Sequence, residues 1–239
     1  MRVPSQQQLL EVWEGGLEQS PLDRTLALMG LACPEDAGQL TLGECDRRLL
    51  ELHKLLFGSE ITALAHCPQC SSALELNFNS GEMQVDAGTP HTELVVSDSG
   101  YEASFRLPTL RDLESLGTDA SSSQFQTSLL RRCLLEAKRY GAAIMAEELP
   151  EGLVLAVSER MSEADPQAEI NIQLECAECR HGWLEKFDVE SFLWTKIQAW
   201  AGRTLNEVHC LAAAYGWSEQ QILALSPVRR HMYLNLVAE

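Results

Sequence analysis

Two pairs of cysteines in this chain have the spacing of a metal site. Cys67 and Cys70 form one CxxC pair, and Cys176 and Cys179 form the other. A CxxC at a tight turn can direct both thiolates at one ion, and two such turns supply the four thiolates that structural zinc prefers. The sequence therefore predicts a structural Zn(Cys)4 site, with iron as the other metal that this ligand set can bind.

The wide separation of the two pairs leaves alternatives open. Cys70 and Cys176 lie 106 positions apart, which is not a zinc-finger spacing. Closing a long loop costs only about 0.6 kcal/mol for each doubling of its length, whereas structural zinc contributes roughly 10–16 kcal/mol in zinc-finger peptides. Metal binding can therefore offset the closure. The alternatives are two disulfides, unrelated buried thiols, or a redox CxxC, which usually lies at a helix start.

Other residues that could bind a metal have more ordinary interpretations. His66 and His181 flank the two pairs, but with four cysteines present we expect neither to be a ligand. Two further histidines, His53 and His209, fall in predicted helices and are expected to pack or to face solvent. The remaining cysteines also fall in helical segments, where small buried hydrophobic residues are expected: Cys33, Cys45, Cys133 and Cys210.

The chain lacks the common sequence signatures of catalytic sites. It contains no GxxxxGK[ST] phosphate loop, no HExxH and no GxSxG. A zinc ion held by four thiolates also has no open position for water or substrate. We therefore expect no catalytic residues, no small-molecule substrate and no enzymatic activity. A hydrolase or redox enzyme would need an open metal position or a disulfide that turns over.

The composition constrains the partners. The 239 residues carry a formal net charge of −17 at pH 7, and binding to a phosphate backbone needs clustered Lys and Arg. We therefore expect neither nucleic acid nor an anionic membrane as a partner. Residues 1–16 lack a secretory signal pattern, and no apolar stretch approaches the ~20 residues that span a bilayer. A cytoplasmic protein with reduced thiols is the expectation.

Strand patterns flank both cysteine pairs. Extended segments are predicted at 62–66 and 73–78 around the first pair, and at 168–175 and 182–187 around the second. In the segment before the second pair, apolar and polar residues alternate as in a half-buried strand. Each CxxC is therefore predicted to lie at the turn of a β-hairpin.

Capping residues and apolar periodicity define the remaining elements. A third hairpin is predicted from 92–96 to 101–107, turning at Asp98-Ser99-Gly100. The predicted helices cover 20–31, 41–57, a short segment after Thr109, 124–140 closed by Gly141, 149–164, 189–215 closed by Gly216, a short segment after Ser218, and a last segment from Ser226 to Val237.

The order of these elements predicts an α+β fold. Its centre is a zinc-ribbon-like clasp of two CxxC β-knuckles, with an inserted β-hairpin and helical segment and with flanking N- and C-terminal helices. We divide the chain into an N-terminal helical segment at 1–61, a split zinc ribbon at 62–80 and 168–188, an insert at 81–167, and a C-terminal helical segment at 189–239. These parts are expected to form one compact domain.

The C-terminal segment is rich in aromatic residues. Such residues usually pack in a core, but they are also common anchors of protein interfaces. The candidates for partner contact are Trp194, Trp200, Trp217 and Tyr233.

This segment also resembles a known family, the myophage baseplate hub assembly chaperones, together with related baseplate proteins of contractile injection systems. The likeness is strongest over 187–237. It rests on Phe192-Leu193-Trp194, Glu207-Val208-His209, Tyr215-Gly216-Trp217-Ser218-Glu219, Ile222-Leu223-Ala224-Leu225-Ser226 and Arg229-Arg230. The Leu-rich helix ending at Phe57-Gly58, followed by His66-Cys67-Pro68-x-Cys70, is similar to the longer members with a zinc knuckle.

The resemblance implies a non-enzymatic protein of contractile tail or injection-machine construction. Such a protein would act as an assembly factor or structural component, with baseplate, hub or tail subunits as partners. It would work in the cytoplasm of a bacterial or phage-infected cell, and it would either leave or stay in the assembled particle. The alternative is a zinc-ribbon protein associated with nucleic acid.

Overall fold

The computed structural model of the protein describes residues 1–33, 37–85, 93–116 and 122–238. The helices are α1 Gln6–Gly16, α2 Pro21–Ala32, α3 Leu42–Phe57, α4 Leu110–Leu116, α5 Ser122–Cys133, α6 Glu151–Ala164, α7 Val189–Tyr215, α8 Glu219–Leu223 and α9 Pro227–Ala238. The strands are β1 Glu60–His66, β2 Ala73–Asn79, β3 Leu94–Asp98, β4 Tyr101–Phe105, β5 Leu134–Arg139, β6 Ala142–Ala143, β7 Asn171–Glu175 and β8 Gly182–Lys186. The mixture of helices and small sheets confirms the α+β prediction. Within these ranges, no helix combines the length and apolarity that crossing a membrane requires.

The main core lies among α1, α2, α3 and the first half of α7. Leu28, Leu52, Leu193 and Ile197 are each fully buried there. The predicted caps form as expected, because the side chains of Ser20, Thr41 and Asp188 accept hydrogen bonds from backbone N–H groups in the first turns of α2, α3 and α7. Local capping residues thus determine where α2, α3 and α7 begin.

A second, smaller core joins the end of α7 to α8, α9 and α1. Leu211 and Ile222 are fully buried in it. The guanidinium of Arg230, only 2% exposed, donates to Glu207 Oε2 at 2.9 Å and to Gln6 Oε1. This buried arginine holds the last helix against both the first helix and α7. Helix α1 was not predicted, although Ser5 and Gln8 form a capping box at its start.

The insert is an antiparallel sheet in the order β3–β4–β5–β6, with α6 packed on one face. Leu94 pairs with Phe105 across β3 and β4, and both bury their side chains against Leu153 and Val157 of α6. The hairpin turns at Ser99-Gly100, within the predicted turn. Residue 92, its expected start, lies outside the described ranges.

One helix prediction in the insert was wrong. A single helix was expected over 124–140, but α5 ends at Cys133 and the chain continues as β5, paired with β4. The turn after β5 places Tyr140 and Gly141 at φ 49° and 84°, as in a tight hairpin turn. The sequence of β5 has helical propensity, but the free edge of β4 provides hydrogen-bond partners that local propensity does not reveal.

Candidate metal centre

Each CxxC lies at the tip of its own β-hairpin. In the first hairpin β1 pairs antiparallel with β2, from Glu60 with Asn79 to His66 with Ala73. In the second, β7 pairs antiparallel with β8, ending at Glu175 with Gly182. The hairpins are separate two-stranded sheets. The two tips therefore meet without a shared ladder of backbone hydrogen bonds.

The two cysteine turns have the same backbone geometry. In each, the N–H of the first cysteine donates to the carbonyl five residues later, and its own carbonyl accepts from the N–H four residues later. All four bonds are 2.9 Å long. The residue after the second cysteine has a positive φ in both turns, 60° at Ser71 and 62° at Arg180. The chain thus builds one turn twice, and this repeated turn directs both sulfurs of a pair to the same side.

The four sulfurs converge. Cys67 Sγ lies 3.6 Å from Cys179 Sγ, and Cys70 Sγ lies 3.6 Å from Cys176 Sγ. All four ligand atoms lie within 4.8 Å of one another. A tetrahedral zinc ion with Zn–S bonds of about 2.3 Å requires S···S separations of about 3.8 Å. The spacing therefore fits a single tetrahedral ion.

The cluster is half buried and half exposed. Cys67 and Cys176, the first cysteine of each turn, are buried, whereas Cys70 and Cys179 are exposed. Each of the 3.6 Å pairs joins the buried thiol of one hairpin to the exposed thiol of the other. Although burial raises it, hydrogen bonds from the backbone N–H groups of Cys70 and Gln69 lower the pKa of Cys67 to about 7. A backbone hydrogen bond from Ser72 lowers the pKa of Cys70, but burial and the neighbouring sulfurs raise it to about 12. Cys67 is thus the thiol that this environment favours as a thiolate, which is the form that binds metal.

The side chains of the other candidate ligands do not join this cluster. In the described part of the chain, the four cysteines are the one group of His, Cys, Asp or Glu side chains found close enough to share an ion, and neither His66 nor His181 belongs to it. Burial raises the pKa of the Cys45 thiol and raises that of Cys133 to about 11, so both stay protonated. Cys45 and Cys133 are buried and lie outside the four-cysteine cluster, which agrees with the packing role expected for them.

A ladder of aromatic rings joins the hairpins at their bases. Phe78 at the end of β2 contacts Phe187 after β8, with ring centroids 5.5 Å apart. Phe187 contacts Phe192 of α7 at 5.3 Å. Phe192 contacts His53 at 5.4 Å, and His53 contacts Phe57 at 5.6 Å, both on α3. Packing therefore fixes the bases of the hairpins to the helical core. At the tips, the contact between the two hairpins is made by the cysteines. This ladder was not predicted from the sequence, although both Phe78 and Phe187 end predicted strands.

The four candidate partner-binding aromatics lie in different environments. Trp194 is only 5% exposed and lies in the main core, where it contacts Gly16 and the Arg24 guanidinium stacks on its ring at 4.7 Å. Trp200 is partly buried between the two helical cores. These two side chains therefore contribute to packing in this structure and offer little surface to a partner.

Trp217 and Tyr233 form a surface cluster with Tyr215. Trp217 stacks on Tyr215 at 4.7 Å and meets Tyr233 edge-on at 5.0 Å. Tyr215 is 39% exposed, and Val228 and Met232 on α9 are 66% and 63% exposed. A role of Trp217 and Tyr233 in partner contact stays a prediction.

Comparison with known proteins identifies a family. A family model described as T4 bacteriophage base plate protein matches residues 31–194. The match begins in α2 and ends within α7, so it contains both hairpins, all four clustered cysteines and the insert. It excludes α8, α9 and most of the 187–237 segment that resembles the hub assembly chaperones. Searches of curated proteins and of solved structures gave no match.

Proposed function

Because the chain belongs to the T4 bacteriophage base plate protein family, we propose that it is a non-enzymatic assembly factor or structural component of the baseplate or hub of a contractile particle. The family indicates a structural or assembly role in a phage baseplate, with other baseplate or tail proteins as partners. We propose in addition that the protein acts at the hub, that the particle is a contractile tail or injection system, and that the protein catalyses no reaction.

The family match over 31–194 carries this proposal. The cysteine cluster supports it, because we propose that the cluster binds one structural zinc ion through Cys67, Cys70, Cys176 and Cys179. An ion with four thiolate ligands stabilises a fold and offers no position to a substrate. When bound, zinc would cross-link the two hairpin tips, and the chain's own turns supply the preorganised thiolates.

The net charge of −17 supports protein partners over nucleic acid. We propose that the protein acts in the cytoplasm of the phage-infected or bacterial cell and contacts other subunits during assembly. Helices α8 and α9 and most of α7 lie outside the range that the family model matches. We propose that these helices make the contacts that are specific to this chain. Resemblance to hub assembly chaperones in this segment supports a role at the hub.

Co-purification tests the proposal. An affinity-tagged chain is expressed from its native locus, and mature particles and smaller assembly intermediates are separated on a gradient and analysed by mass spectrometry. We expect the chain to co-purify with baseplate or tail subunits, and we expect its deletion to stop baseplate assembly. Presence in mature particles would identify a retained component, and presence in intermediates alone would identify an assembly factor.

Two results would overturn the proposal. One is the formation of normal, infectious or contractile particles after deletion, together with an absence of tail subunits from the purified chain. The other is tight, salt-sensitive binding of DNA or RNA by the purified chain, which would favour the nucleic-acid alternative.

A further inference from the structure

A cavity of about 290 Å³ lies where α2, α3 and α4 meet the link between β8 and α7. Most of its wall is apolar, formed by side chains such as Leu22, Leu49 and Ile170. Three carboxylates also line it, those of Asp46, Asp188 and Glu190, and we call this site the acidic pocket. Apolar walls around several carboxylates are unusual, because charged groups in such places normally have partners.

Glu190 lacks such a partner for one of its oxygens. The residue is only 9% exposed, and its Oε1 has no hydrogen-bond partner in the described part of the chain. Its other oxygen accepts a 3.4 Å bond from the Ser191 hydroxyl. Burial, and then repulsion from Asp188, raises the pKa of Glu190. A buried acceptor without a donor costs about 1–3 kcal/mol, so a donor that reached this oxygen would offset that cost.

Asp46 is partly buried and also lacks a close partner among the described residues. Burial, followed by repulsion from Asp188 and Asp165, raises the pKa of Asp46 to about 7. Its carboxylate makes neither a hydrogen bond nor an ion pair within the described ranges. Lys186 is the one basic residue that lines the pocket, and it is exposed at the rim. Negative charge in the pocket is therefore only partly compensated.

Among the described residues that line the pocket, Lys186 is the one Lys or Arg. Arg24 lies near Glu190, but its guanidinium donates to the Gly16 carbonyl at 2.9 Å and stacks on Trp194. Within the described ranges the charge of the pocket is only partly compensated, which leaves a place for a cation from another molecule.

We propose that the acidic pocket receives an arginine or lysine side chain from a partner protein in the baseplate. The apolar walls suit the aliphatic stem of such a side chain, and the carboxylates of Asp46 and Glu190 suit its charged head. A metal ion fits less well, since the carboxylates of the described residues do not converge as the four sulfurs do. The partner's identity as a baseplate protein rests on the proposed function, whereas the pocket chemistry does not.

The test uses N-acetyl-arginine-N-methylamide as the probe, added to the full chain at constant ionic strength and pH 8. Binding is followed by backbone amide NMR shifts of α3 and the β8–α7 link. We expect saturable shifts at these amides. The Asp46→Asn, Glu190→Gln double variant should weaken binding at least tenfold. N-acetyl-norleucine-N-methylamide, which lacks the charge, should bind at least tenfold more weakly than the arginine probe.

A matched control carries the same change of charge elsewhere. Glu151 and Glu159 are exposed on α6, so Glu151→Gln with Glu159→Gln should leave binding of the probe within twofold of the unchanged protein. The pocket variant should fold, because it replaces a partly buried acid and a buried acid, both poorly compensated, by neutral groups of the same shape. If the double variant unfolds, Asp46→Asn alone should still weaken binding at least threefold.

Several outcomes would overturn the inference: no saturable shifts with the arginine probe, equal binding of the norleucine probe, or saturation of the same amides by Mg²⁺ or Ca²⁺ alone. Its failure can be distinguished from failure of the proposed function. If the probe does not bind but the chain still co-purifies with tail subunits, the pocket inference alone is wrong. If the probe binds but no tail subunit co-purifies, the proposed function is wrong.

Discussion

Replacing Cys176 by Ser should remove the metal and destabilise the fold. Cys70 and Cys176 are 106 positions apart, and their sulfurs lie 3.6 Å from each other, so an ion there closes a long loop. Cross-linking a loop of about 100 residues stabilises a protein by about 4.7 kcal/mol in the chain-entropy model. In a protein of this length, 1 kcal/mol changes Tm by about 2–4 °C. The expected decrease in Tm is therefore about 10–20 °C.

Metal content and thermal unfolding are measured on the same preparations. Elemental mass spectrometry should find about one zinc ion per chain in the unchanged protein, and the same measurement distinguishes zinc from iron. Cys176→Ser should contain little metal. Differential scanning calorimetry then gives the change in Tm. Because the aromatic ladder holds the hairpin bases, far-UV circular dichroism should retain most of the helical signal in the variant.

Cys133→Ser is the matched control. Cys133 is as fully buried as Cys176 but lies outside the cluster. It should lose some stability by burying a hydroxyl, and it should keep the metal. Retention of metal by Cys176→Ser, or unchanged thermal stability of the original protein after strong chelation, would refute the reasoning.

Three further substitutions test the structure away from the cysteines. Gly43→Ala should cost about 1–3 kcal/mol of unfolding free energy in urea denaturation, because its Cβ would overlap the Asp165 carboxylate that accepts from the Gly43 N–H. Asp112→Asn should cost about 1.5–3 kcal/mol, since Arg106 makes two charged hydrogen bonds to Asp112. Those bonds hold the pKa of Asp112 well below its usual range, so their contribution should be lost as pH falls below about 4. Burial, and then Lys196, lowers the pKa of His53, so the folded state favours neutral histidine and should lose stability as pH falls below about 6.5. His53→Phe should therefore gain stability relative to the unchanged protein between pH 7 and pH 5.

Each of these has its own control. A Cβ at Gly152, on the exposed side of α6, meets nothing within 4 Å, so Gly152→Ala should not destabilise. Asp98→Asn, at an exposed turn, should change the unfolding free energy by less than about 0.5 kcal/mol. His209 is exposed on α7, and His209→Phe is the control for introducing a phenylalanine in place of a helical histidine. A Gly43→Ala protein as stable as the original, or equal pH profiles for His53→Phe and the original, would contradict the packing described above.

The pairing of the cysteines within each turn could be predicted from the sequence because its signals are local. Two residues between thiols, with strand patterns on either side, require a tight turn that brings each pair together. The starts of α2, α3 and α7 could be predicted for the same reason, since Ser20, Thr41 and Asp188 each cap N–H groups only three residues away.

Other features depended on contacts between distant segments. The segment Leu134–Arg139 is amphipathic and rich in helix formers, yet it forms β5 because β4 offers an edge to pair with. Trp194 and Trp217 could not be distinguished by type or spacing, although the first is buried in the main core and the second is partly buried at the edge of the second core. Burial is decided by which helices pack together, and the sequence pattern of α7 alone does not specify that.

The sequence by itself indicated the paired cysteines, the helix starts and a net charge of −17. Tertiary structure alone decided which sulfurs face each other, how the aromatic ladder anchors the hairpins, and where Asp46 and Glu190 share the acidic pocket. The physical reason is the distance along the chain over which each interaction acts. Caps, turns and strand alternation act over a few residues, whereas burial and electrostatic repulsion depend on segments that meet only when the whole chain has folded.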